Sequence, residues 1–144
     1  MYEILKHAHS GIAYLVLLFV TLAFLNALIG MITKRAWGNR DFSLSLISLI
    51  VTHIMVLIGL VMYFMSPYFE ALTSDAGTVM KNAGLRKLAI EHPITMIIAV
   101  VLITIGYSKH KKKNLSQAKF KTITIFYGLA LAAILWAVPW SQWM

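Results

Sequence analysis

Four long apolar stretches dominate this chain: Gly11 to Thr33, Ser43 to Met65, Leu88 to Tyr107 and Thr122 to Val138. Each holds about 17 to 23 residues, enough at about 1.5 Å of rise per residue to cross a hydrocarbon core about 30 Å thick. In hydrocarbon every backbone amide must find its partner inside the segment, so each stretch is expected to be a helix. The sequence therefore predicts an all-α membrane protein built as a bundle of four transmembrane helices. Short loops between them imply antiparallel neighbours in up-down order. With 60% hydrophobic and 12% charged residues, nothing is left over for a soluble domain, and residues 1–144 are expected to form one integral membrane domain.

The first stretch is longer than the apolar core of a secretory signal and lacks a small-residue cleavage site before Lys34, so it is expected to be retained. Orientation is read from lysine and arginine. Lys34, Arg35 and Arg40 lie in the first connection, and Lys109, Lys111, Lys112, Lys113, Lys119 and Lys121 surround the third. These two loops should face the cytoplasm, with both termini and the second loop on the outer, periplasmic side of a bacterial inner membrane. The net charge of +8 then sits on anionic lipid headgroups rather than on nucleic acid. The lipid bilayer is the expected partner, with other membrane subunits as possible ones. Trp136, Trp140 and Trp143 fit an interfacial belt at the outer face and Trp37 one at the inner face.

Ionisable groups are costly in hydrocarbon, so they mark the places where chemistry is to be sought. On the third helix His92, Thr95, Met96, Ala99, Gly106 and His110 fall within about 60° of one line. On the first helix His9 heads a line of small residues, Ala13, Ala23, Ala27 and Gly30. His9 and His92 are thus placed at one outer depth above small-residue faces. That is the arrangement two axial ligands of a b-type haem require, with Met96 against the macrocycle or replacing a ligand, and Arg86 and Lys87 pairing with its propionates. The other reading makes both histidines interfacial, one capping a helix and one bonded to Glu91. Within Glu91-His92-Pro93, proline either starts the helix or kinks a longer one and frees the carbonyl of Ala89.

His53 lies near mid-membrane, and counting rises puts Asn26, Thr104 and Tyr127 near its level. These four are expected to form one buried polar cluster, which either holds helices together or serves a quinone, a second cofactor or proton relay. Beside His53 runs a small or polar line of Ser45, Ser48, Thr52, Gly59, Tyr63 and Ser66. His110, among lysines, is expected to be solvated. The absence of cysteine excludes disulfides and thiolate chemistry, and no phosphate loop, activated serine or carboxylate pair is present. The methionines read as packing residues.

His9-Ser10-Gly11 at the head of the first helix, Ser66-Pro67, and Arg86 followed by Glu91-His92-Pro93 and Met96 together resemble an uncharacterised bacterial family of small four-helix membrane proteins often labelled "cytochrome B". The likeness spans nearly the whole chain on short motifs. More distantly, the size and the histidines heading helices one and three are similar to the haem-binding membrane proteins typified by the protoporphyrinogen oxidase HemJ. The tryptophan and lysine pattern of that enzyme is absent, so the resemblance implies haem at His9 and not its activity. Two functions follow as expectations: a b-type membrane cytochrome passing electrons near the outer face, or a non-catalytic small subunit or assembly factor of a larger respiratory or transport complex.

Overall fold

A computed structural model describes residues 1–140. Helix is the regular structure they form, with no strand among them: α1 (Tyr2–Thr33), α2 (Asn39–Phe64), α3 (Pro67–Ser74), α4 (Ala76–Lys81), α5 (Ala83–Arg86), a π-helical turn (Lys87–Glu91), α6 (His92–Lys111) and α7 (Ser116–Ala137). α5, the π turn and α6 run on as one helix, Ala83–Lys111. With α1, α2 and α7 this makes four helices long and apolar enough to cross a membrane, the mark of a multi-pass membrane protein. Each helix outruns its apolar stretch at one or both ends, because hydropathy marks only the part suited to hydrocarbon. Trp143 lies outside the described residues.

The four helices pack as a ring, α1 on α2 and α7, and α6 on α7 and α2. The buried positions of α1 are Val16, Val20, Ala23, Ala27 and Gly30, and α7 contributes Phe120, Ile123, Tyr127, Ala130, Ile134 and Ala137. Both sets step by three and four residues, the spacing of one helix face. Backbones approach closely where a glycine receives an aromatic ring. A Cβ on Gly30 or Gly106 would overlap Phe120 or Phe126, and one on Gly128 would stand 2.7 Å from Phe24.

The buried face of α2 is polar instead: Asp41, Ser45, Ser48 and Thr52. Lipid is as apolar as leucine, so hydrogen bonds and small side chains, rather than hydrophobic contrast, favour one helix face over another. Ser48 donates to the carbonyl of Phe19 on α1 at 2.9 Å, and Tyr127 on α7 donates to that of Ser45 at 2.8 Å. At the end of the bundle near the α1–α2 loop, the buried Asp41 carboxylate accepts from Asn26 at 2.6 Å, from both Arg35 terminal nitrogens at 2.8 Å, and from the Gly38 amide at 2.8 Å. The hydrogen bond from Arg35 to Asp41 raises the guanidinium pKa further above its ordinary value. α1 closes there on Lys34, whose left-handed backbone (φ 58°) sends its N–H to the carbonyl of Gly30.

These contacts correct two expectations. His53, Asn26, Thr104 and Tyr127 do not form one cluster. His53 meets Thr104, but Asn26 is drawn to Asp41 and Tyr127 to the backbone of Ser45. Counting rise misplaced both in depth, since along α2 Asp41 lies about 18 Å and Ser45 about 12 Å of helical rise from His53. His110 is not solvated either: it is fully buried, with ring centroids 5.1 Å from Trp37, 6.0 Å from Phe42 and 5.0 Å from Tyr107. Trp37 accordingly packs inward on His110 and Phe120 rather than standing as a free interfacial anchor.

Candidate functional site

The helix containing His92 is shaped by Pro93. Proline has no N–H, so the carbonyl of Ala89 one turn earlier loses its helical donor. The helix neither starts there nor breaks. It widens into the π turn, with the His92 amide bonded back to the carbonyl of Lys87, and the freed Ala89 carbonyl accepts the hydroxyl of Tyr63 on α2 at 2.6 Å. Such a one-turn widening re-aims the side chains beside it.

The re-aimed His92 points to the last turn of α7. A helix leaves its final carbonyls without donors, and α7 stops at Ala137, two residues before Pro139. His92 Nδ1 donates to the carbonyl of Ala137 at 2.9 Å, while Lys87 Nζ takes that of Trp136 at 3.0 Å and stands 5.2 Å from the Trp136 ring centroid. Because Nδ1 must carry the proton to donate, Nε2 of the neutral ring keeps its lone pair.

Opposite His92 stands His9, with ring centroids 6.2 Å apart and ring planes at 69°. His9 is seated against Gly59 of α2. A Cβ at that position would lie 3.2 Å from His9 Cε1, so any larger residue would crowd the ring. Its Nδ1 is buried and has no hydrogen-bond partner among the described residues. An imidazole nitrogen shut away from water and from protein donors is costly unless something else binds it.

Both rings line a cavity of about 280 Å³, walled by α1, α2, α6 and the end of α7. Around the histidines its wall is formed by Ser10, Ala13, Gly59 and Ala99, small enough to admit a flat group, with Met55, Met62 and Met96 among the other lining residues. Tyr2, Lys6, Ser66 and Tyr68 also line it.

The structure thus brings His9, His92 and Met96 to one cavity and keeps Arg86 and Lys87 off its wall. Arg86 is bonded to Glu91 at 2.9 Å and to the carbonyl of Met80 at 2.9 Å, and Lys87 caps α7. Lys6 is the cation among the described lining residues. Sequence reasoning missed it, since a single lysine near an N-terminus carries no signal of its own. Gly59 and Tyr63 were visible as members of the small or polar line on α2, but their partners were not.

Comparison of the chain with known protein families, characterised proteins and solved structures finds no match, so the geometry of this cavity is what a functional reading rests on.

Proposed function

We propose that the chain is a small b-type membrane cytochrome that holds haem between His9 and His92 and passes electrons near one membrane face. The single observation that supports this reading is the 6.2 Å separation of the two ring centroids. An iron-bound imidazole nitrogen stands about 2 Å from the metal and its ring centre about 1.1 Å beyond, so two imidazoles on one iron have centroids about 6 Å apart. The buried, unpartnered Nδ1 of His9 fits a site completed by a bound group. Haem would supply one-electron redox chemistry. The protein's residues do the rest. Ala137 fixes the tautomer and angle of His92, as a carbonyl behind a metal-bound histidine commonly does. Gly59 and the small residues of the wall leave room beside the rings, and aliphatic and methionine side chains make most of the rest of the lining apolar.

In this reading the helices run up and down, with both termini and the α3–α4 segment on the periplasmic side of a bacterial inner membrane and the lysine-rich loops in the cytoplasm. The haem then lies near the outer face.

The test is the absorption spectrum of the protein purified after expression with added haem precursor. A Soret band with sharp α and β bands on reduction is expected, lost in His9→Ala and in His92→Ala. A protein that takes up no haem contradicts the reading.

A further inference from the structure

The pair His53 and Thr104 lies outside the cavity, on the lipid-facing surface where α2 packs on α6. His53 is exposed and stands about 21 Å of helical rise from Asn39 and about 16 Å from Phe64, deep within its span. Around it the surface is aliphatic, with Ile50, Ile54 and Leu57 on α2 and Ile97 and Val101 on α6 all exposed.

The hydrogen bonds fix which nitrogen is free. His53 Nδ1 is 2.7 Å from the carbonyl of Leu49 and must carry the proton, so Nε2 is an acceptor. The group beside Nε2 is the Thr104 hydroxyl at 3.3 Å, whose one proton goes to the carbonyl of Val100 at 2.6 Å. One proton cannot serve both acceptors, and the shorter bond holds it. Nε2 is left as an acceptor turned to hydrocarbon without a donor.

We infer that the His53–Thr104 pair is a binding site for a lipid-soluble quinol, whose ring hydroxyl donates to His53 Nε2 while its tail lies along the aliphatic strip. Two other occupants of this face, acyl chains and a second copy of the chain, supply no donor there. Acyl chains have none. A second copy of the chain docked about a two-fold axis through this face would bring its own His53, whose Nδ1–H is likewise committed to Leu49, and acceptor would meet acceptor. A quinol is soluble at mid-membrane and carries a strongly donating phenolic hydroxyl, and its oxidised quinone carries carbonyls that only accept. The site therefore discriminates by redox state. It does not depend on the haem reading.

The test uses the full chain in lipid nanodiscs under anaerobic conditions, with a labelled short-chain benzoquinol and its quinone partitioned between loaded and empty discs. Saturable one-to-one binding of the quinol is expected, about tenfold tighter than that of the quinone, the worth of one hydrogen bond. His53→Phe should erase that preference and lower quinol binding, and His53→Gln, whose amide carries an acceptor and a donor, should recover quinol binding while also admitting the quinone. Absence of saturable binding, equal affinity for the two forms, or full binding by His53→Phe overturns the proposal. So does a loss in His53→Phe that Gln does not recover, or a His53-dependent dimer that binds no quinol.

Discussion

The imidazole centres of His9 and His92 stand 6.2 Å apart, with the ring planes at 69° to one another. The two histidines arrive there by different means. His9 lies on an uninterrupted helix and is admitted by a glycine on the facing one. His92 is aimed by a π turn that Pro93 imposes and is steadied by the last carbonyl of α7.

Gly59 therefore controls the first histidine. Ala in its place puts a Cβ 3.2 Å from His9 Cε1, and the ring must give way by a few tenths of an ångström. Gly59→Val should displace it outright, at a cost of about 1–3 kcal/mol of overpacking. On the proposed haem reading, the expected outcome is graded loss of haem occupancy, Ala less than Val, measured as haem per protein by pyridine haemochrome assay.

Tyr63 controls the second through the backbone. Tyr63→Phe strands the Ala89 carbonyl, at a cost of about 1–3 kcal/mol, and should lower the thermal midpoint. In a Pro93→Ala background residue 93 regains an amide that can reach Ala89, so removing the Tyr63 hydroxyl should cost less there. A thermal-denaturation double-mutant cycle measures the difference.

At the far end of the bundle, Asp41 gathers Asn26, Arg35 and Gly38 around one buried carboxylate. Removing it takes the acceptor from four nitrogen donors on three residues and, in Asp41→Ala, leaves a guanidinium without its counter-charge. Arg35 is partly exposed and can be solvated, so the expected loss is about 1–3 kcal/mol, that of stranding the buried donors around the carboxylate. Arg35→Lys should cost less, because one charged contact survives but the two-pronged geometry does not. Guanidinium titration of the purified variants in detergent ranks them.

Lys6 is the cation available to the cavity, with Tyr2 and Tyr68 beside it on the lining. If it holds the carboxylate edge of the bound group, apoprotein should bind haem more tightly than haem dimethyl ester. Lys6→Gln should remove most of that preference while leaving ester binding unchanged, and Lys81→Gln, on α4, should have no effect. Spectrophotometric titration reads all of these.

The spans were legible in the sequence because hydropathy acts residue by residue. The pairing of His9 with His92 was legible because both sit at corresponding depths on faces marked by small residues. What escaped was set by neighbours that no local pattern records. His110 looked solvated among its lysines, yet Trp37, Phe42 and Tyr107 close over it. Asn26 counted as level with His53, but the packing of α1 on α2 sets it beside the carboxylate of Asp41, about 18 Å of helical rise away. Arg86 and Lys87 were near enough in sequence to serve His92, and instead one pairs with Glu91 while the other caps α7. In each case the partner was decided by tertiary contact, and for Asn26 the helix register also set a depth that counting residues from the ends of the apolar stretches missed.

The central claim, that one haem iron is held between these two rings, is tested most directly by electron paramagnetic resonance of the oxidised, haem-loaded protein. Parallel axial imidazoles give a rhombic low-spin signal, and strongly twisted ones give a highly anisotropic low-spin signal. The 69° angle between His9 and His92 predicts the second, converting to a high-spin signal in His9→Gly and in His92→Gly and returning when free imidazole is added. A high-spin signal in the unaltered protein, or a low-spin signal that survives loss of either histidine, contradicts it.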